Sequence, residues 1–94
     1  MAKSHMYSLE YSTQFKKDFK KMTKRPIPDI VEVGRIISML QRDEPLDDKH
    51  VDHMLVGNWQ GFRDCHVMPD LVLIYKVSNG VLQLARIGSH SELF

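Results

Sequence analysis

Leu71-Val72-Leu73-Ile74-Tyr75 is a run of five apolar side chains fenced by turn residues, Met68-Pro69-Asp70 before it and Ser78-Asn79-Gly80 after it. Alternation would mark a strand with one wet face. An unbroken run of this length marks a strand covered on both faces, and so the centre of a sheet. Asn-Gly tolerates positive φ at successive positions, as a tight hairpin requires, so Val81 to Ile87 returns beside the central strand. On the other side Phe62, Asp64 and His66 point one way and Arg63, Cys65 and Val67 the other, which reads as a third strand of an antiparallel meander.

Working back toward the N-terminus, residues 43–52 hold five acids against one lysine, with Pro45, and read as a solvent-exposed loop that includes His50. Before it lie two helical patterns. Phe15, Phe19 and Met22 recur at spacings of four and three behind a cap at Ser12 or Thr13, while Lys16, Lys17, Lys20, Lys21 and Lys24 line the opposite side. Pro26 and Pro28 end this helix. Asp29 is expected to cap a second one, with Glu32 three residues on and Ile30, Val33, Ile37 and Leu40 as its buried stripe. Tyr7, Leu9 and Tyr11 alternate with Ser8 and Glu10 as a first strand. The order β-α-α-β-β-β indicates an α+β domain over residues 6–94, with a two-helix hairpin packed on a mainly antiparallel sheet. Residues 1–5 read as a remnant of an expression vector.

With 94 residues, 43 % of them hydrophobic and 27 % charged, the chain has the composition of one small globular unit. No apolar run reaches the 18 or so residues that a membrane span requires, and no secretory signal opens the chain, so a cytoplasmic protein is expected. The single cysteine, Cys65, excludes an internal disulfide and a thiolate zinc site. Charge is unevenly spread: residues 1–25 carry seven Lys/Arg against two acids, and residues 26–94 carry six against ten. A basic end of this kind fits either a polyanion partner or a solvated lysine face.

Four histidines lie within the last 45 residues: His50, His53, His66 and His90. Imidazole exchanges protons near neutrality, so a cluster of them fits general acid-base work. His50-x-x-His53 follows no zincin pattern and gives only a weak metal signal. Cys65 and His66 are adjacent on a strand and face opposite ways, so Cys65 reads as packed rather than nucleophilic. Trp59, beside Gly57 and Gly61, reads as a packing anchor.

Between Asp52 and Phe94, the combination Asp52-His53, Leu55, Gly57-Asn58-Trp59, Gly61-Phe62-Arg63-Asp64-Cys65-His66-Val67, Pro69-Asp70, Leu73-Ile74-Tyr75-Lys76 and Arg86-x-Gly88-Ser89-His90-Ser91-x-Leu93-Phe94 resembles the YafQ branch of the RelE superfamily of toxins. Leu9-Glu10-Tyr11-Ser12 followed by Phe15-Lys16-Lys17-Asp18 is similar to that family's start. The resemblance implies a RelE-like fold and the toxin of a bacterial type II toxin-antitoxin pair. That toxin is a ribosome-dependent endonuclease that cuts mRNA in the decoding site with no metal or other cofactor. Its implied partners are a cognate antitoxin of the DinJ or RelB kind, mRNA, and ribosomal RNA. The positions matching the family's active site are His53, His66, Asp70, Arg86, His90 and Phe94; His50 has no match. Leu71 stands where some close relatives carry an aromatic residue, which implies a different codon preference.

These residue types suit such a reaction on their own chemistry, because RNA carries its nucleophile in the 2′-hydroxyl and needs only a base, an acid and a cation for the phosphorane. The expected roles are His53 as base, His90 as acid and Arg86 as the cation, with His66 and Asp70 orienting the phosphate or tuning the others. Lys16, Lys17, Lys20, Lys21 and Lys24 are expected to hold RNA phosphates, and Phe94 to contact RNA. Two other readings share the fold: a ParE-like toxin that binds DNA gyrase without catalysis, whose family lacks the histidine set, and a ribosome-independent RNase.

Overall fold

Every side chain from Leu71 to Tyr75 is buried, at the centre of a five-stranded sheet. The computed structural model describes residues 6–94, so the vector remnant expected at 1–5 lies outside the described residues. The strands are β1 (Ser8–Tyr11), β2 (His53–Met54), β3 (Arg63–Met68), β4 (Leu71–Ser78) and β5 (Val81–Gly88), in the spatial order β1-β5-β4-β3-β2. The helices are α1 (Thr13–Met22), α2 (Ile27–Gln41) and α3 (His90–Leu93). Strands β2 to β5 pair antiparallel, and β1 joins β5 in parallel. The meander expected from the sequence is present, with Asn79 (φ 53°) and Gly80 (φ 75°) both in the left-handed region at the β4–β5 hairpin.

One face of the sheet is covered by α1 and α2. Phe15 and Met22 of α1 and Val33, Ile36 and Leu40 of α2 pack with Cys65, Val67, Leu71, Leu73, Tyr75, Leu82, Leu84 and Ile87. Ser12 caps α1 by accepting the Phe15 N–H at 2.8 Å, and its hydroxyl donates to the Ala85 carbonyl at 2.7 Å, which fastens the start of the helix to β5. The opposite face has a smaller cover: Leu93 of α3 buries Val72 and Ile74, with Leu55, Trp59, Phe62 and Ala85 packed beside them. Trp59 meets Phe62 edge to face at 5.3 Å, in keeping with a packing role. Cys65 is buried, and that burial pushes its thiol well up.

Four expectations need correction. Helix α2 begins at Ile27, with Pro26 as its N-cap and Pro28 in the first turn, where a missing N–H costs no helical bond. Asp29 lies inside that turn and accepts from Arg25 at 3.1 Å instead of capping. Ile36 is the deepest residue of α2, while Ile30 and Ile37 are half-buried, because docking on the sheet rotates the stripe. Tyr11 is exposed at the end of β1, where the chain leaves for α1, and its ring stacks on Phe15 at 5.8 Å. The acidic stretch 43–52 is not an open loop throughout: Asp48–His50 forms a 3₁₀ turn that buries His50, whose Nδ1–H donates to the His66 carbonyl at 2.6 Å. The C-terminal α3 and the two-residue β2 were not visible as periodic patterns, being shorter than any period can register.

Truncating Ile36 to Ala should lower unfolding free energy by about 2–5 kcal/mol in urea titration. Ile27→Ala, at an exposed position of the same helix, should stay within about 0.5 kcal/mol.

Candidate active site

The segment 50–53 is pinned at three points before His53 reaches the sheet edge. His50 is anchored to the His66 carbonyl. Asp52 accepts from the Tyr75 hydroxyl at 2.6 Å and from Arg63 Nε at 3.1 Å. Between them Val51 sits at φ 48°, ψ 50°, a left-handed conformation that is strained for a β-branched residue. That conformation presents the Val51 carbonyl to His53 Nδ1 at 2.8 Å. A carbonyl can only accept, so Nδ1 carries the proton and Nε2 is the basic nitrogen of a half-exposed ring.

His53 pairs in register with Asp64 across β2 and β3. Asp64 is 2 % exposed, and its Oδ1 lies 3.1 Å from His53 Nδ1. The Nδ1–H is aimed at Val51, and Asp64 Oδ1 accepts no hydrogen bond among the described residues. Burial pushes the Asp64 carboxyl above the ordinary carboxylate value, against the opposing pull of positive charge on His53, His66 and His90. Histidines from β2, β3 and α3 are therefore gathered within electrostatic reach of one buried carboxylate. His90 opens α3, whose N-terminus is fixed by a reciprocal capping box between Ser89 and Glu92. Phe94 is exposed and lies against the His90 ring, centroids 4.8 Å apart.

Arg86 reaches the neighbouring groove through a bulge. β5 pairs Leu84 with Tyr75 and then Arg86 with Ile74, leaving Ala85 as the extra residue. Arg86 Nε donates to Asp18 Oδ2 at 2.7 Å and Nη2 to Oδ1 at 3.2 Å, and the Ile87 N–H donates to the same carboxylate at 3.2 Å. Asp18 thus takes the place of β1 beyond the end of that strand. Burial alone would raise its pKa, but the bonds from Arg86, Gln14 and Ile87 outweigh that and hold it below the ordinary 3.8. The groove, about 540 Å³, runs between α1 and the β5–α3 corner and is lined by Lys17, Lys21, Lys24, Arg25, Arg86 and Glu92 among others. Lys21 hydrogen-bonds Glu92, and this bond, with those to Ser89, holds the Glu92 carboxyl down at about 2.

The residues expected from the sequence are therefore divided. His53 pairs with Asp64 on the strand face that also bears His66, His90 and Phe94 lie against each other at the C-terminus, and Arg86 lies in the basic groove, whose lining holds none of the others. Asp70 is apart from the histidines: at the exposed β3–β4 turn it accepts from Arg25 at 3.1 and 3.3 Å. Of the lysines, Lys17, Lys21 and Lys24 line the groove with Arg86, whereas Lys16 borders an apolar groove between α1 and α2 and Lys20 is simply exposed. Leu71 is buried in the core, with its edge in the basic groove. Sequence reasoning missed Asp64, Asp18 and Arg25. The one available signal was that Asp64 shares a strand face with His66. Among the described residues, no group of three His, Cys, Asp or Glu side chains is placed to hold a metal ion, and no helix is long and apolar enough to cross a membrane.

A family model described as bacterial toxin of type II toxin-antitoxin system, YafQ, matches residues 7–94. The mRNA interferase toxin YafQ of Escherichia coli K12 is 40 % identical over 87 residues, 92 % of this chain and 94 % of the relative. In the crystal structure of the E. coli DinJ-YafQ complex, a chain 39 % identical superposes with a TM-score of 0.83, covering 94 % of this chain and 98 % of the other. A metal-bound toxin from Helicobacter pylori is 38 % identical, with a TM-score of 0.83 and coverage of 95 % and 100 %.

Because the folded-state pKa of Asp18 is depressed, its contribution to stability is full above the unfolded value and lost as pH falls through the folded one. Asp18→Asn should therefore cost about 1–3 kcal/mol at pH 7, with the gap to wild type closing below about pH 4 in urea titrations across pH.

Proposed function

Because the chain belongs to the YafQ family of bacterial type II toxin-antitoxin toxins, we propose that this toxin, an mRNA interferase and hence an endoribonuclease, cuts messages on the translating ribosome by histidine acid-base chemistry. The observation that carries the reading is His53, in register with buried Asp64 on the strand face that also bears His66, its Nδ1–H taken by the Val51 carbonyl, together with Arg86 presented in the basic groove. In this reading His53 Nε2 takes the proton of the 2′-hydroxyl, O2′ attacks the adjacent phosphorus, and His90 gives a proton to the departing 5′-oxygen. The products are a 2′,3′-cyclic phosphate and a 5′-hydroxyl. Arg86 meets the charge on the phosphoryl oxygens through its Nη1 edge, since Asp18 engages Nε and Nη2.

His66 orients the phosphate from β3, and Phe94 offers its exposed ring to a base. Asp70 contributes through Arg25, which it holds at the rim of the basic groove. Lys17 and Lys24 contact ribosomal RNA phosphates, and the ribosome supplies most of the orientation that a chain of net charge +1 does not. No step calls on a metal ion. The protein works in the cytoplasm, where translation runs, and a cognate antitoxin is its partner, as DinJ is for the E. coli relative.

The test is cleavage on programmed ribosomes in EDTA, with 5′ ends mapped for wild type and His90→Ala. Codon-phased cuts by wild type, slowed at least about 100-fold by the substitution, are expected. Absence of cuts by folded wild-type protein, with gyrase inhibited instead, overturns the reading in favour of a binding toxin. Cutting of naked RNA at the same rate removes the ribosome from it. Replacing Lys17 and Lys24 together by Glu should weaken ribosome binding and flatten its salt dependence by about one logarithmic unit per lost contact.

A further inference from the structure

Asp64 is the one side chain near the histidines whose burial neither the packing nor the roles above account for. A small protein gains nothing in stability from a carboxylate that is 2 % exposed and whose Oδ1 accepts no hydrogen bond. Such groups persist where they act on something beside them. What lies beside this one is the His53 ring, 3.1 Å away and in register across the β2–β3 pair, with the Nδ1 tautomer already fixed by the Val51 carbonyl.

Resting on the reading of His53 as the base, we infer that Asp64 is a positioning residue that forms a carboxylate-imidazole pair with His53 and stabilises the imidazolium formed when Nε2 accepts the 2′-hydroxyl proton. The proton stays on the histidine, and Asp64 remains a carboxylate throughout. Before the transfer, the neutral ring needs only the carbonyl. After it, the ring is a cation, and the Asp64 charge at 3.1 Å acts on that form far more strongly than on the neutral ring, which is the condition for lowering a barrier rather than tightening a ground state. The fixed neighbours favour the arrangement. Val51 is held in a strained conformation that keeps its carbonyl at Nδ1, and His50 and Asp52 lock the segment on either side. The other ionisable groups facing Asp64 are His66 on its own strand, His90 from α3 and Asp52 from the loop, so its charge serves the whole histidine set, with His53 nearest.

Two titrations followed by NMR test the pairing without reference to activity. In Asp64→Asn the His53 imidazole should take up its proton at lower pH than in wild type, because the carboxylate that favours the cation is gone. In His53→Gln, a change at a half-exposed position, the Asp64 carboxyl should in return titrate at higher pH, since the coupling is reciprocal. Unchanged titration of both groups overturns the inference, and the second variant keeps the test open if the first does not fold. Asp64→Asn should melt no lower than wild type at pH 7: a carboxyl raised by folding favours the native state below its unfolded pKa and weighs against it as pH rises through the folded one. On programmed ribosomes Asp64→Asn should cut at least about tenfold more slowly, with the acidic limb of its pH-rate profile displaced to lower pH. Coupled titrations with undiminished cleavage by Asp64→Asn remove the positioning role. Undiminished cleavage by His53→Gln removes the base assignment instead, so the two failures are separate.

Discussion

Burial of Leu71 to Tyr75 on both faces of β4 is the constraint from which the rest of the structure follows. A strand with no wet face needs a neighbour on each edge and a layer above and below. β3 and β5 supply the edges through short connections, and α1 and α2 supply one layer with large, well-matched side chains. The second layer is built from much less: a four-residue helix, Trp59, Phe62 and Leu55. Those elements cover only Val72, Ile74 and their surroundings. The remainder of that face, toward β2, is where buried Asp64 is accommodated with His53 opposite it and His66 on the same strand face.

The same economy explains how the basic groove arises. β1 pairs with β5 only from Ser8 to Tyr11, and the chain then turns into α1 at Ser12. Beyond that point β5 has an open edge, and Asp18 from α1 takes the Ile87 N–H that a longer strand would have taken. The carboxylate that completes the edge also orients Arg86 next to a bulge, so sheet termination and placement of the cation have one cause. Because α1 is amphipathic, the helix that brings Asp18 also lines the groove with Lys17 and Lys21, and Lys24 joins them from the turn just beyond its end.

The histidines illustrate how chemically identical side chains acquire different work. His50 and His53 are three residues apart, yet one is buried with its Nδ1–H on the His66 carbonyl and the other is half-exposed with its Nδ1–H on Val51. The first fixes the backbone of β3 at the position of a second histidine. The second presents a free Nε2. The distinction lies in a single left-handed residue, Val51, which turns the chain between them.

By itself, the sequence determined the meander, the amphipathic first helix, the tight Asn79-Gly80 hairpin and the family, because each is written in local periodicity, turn chemistry or residue combinations close in the chain. It also supplied the histidines and Arg86 as candidates, since residue type limits which groups can move protons or meet a phosphate. Only the tertiary structure decided that His50 is buried, that Asp70 belongs to Arg25, that Asp18 holds Arg86, and that Asp64 lies buried against His53. The Asp18–Arg86 and Arg25–Asp70 pairs join residues 68 and 45 positions apart. No local pattern encodes which partner a charge will meet at such separations, because the meeting is set by how the helices dock on the sheet and where its strands end.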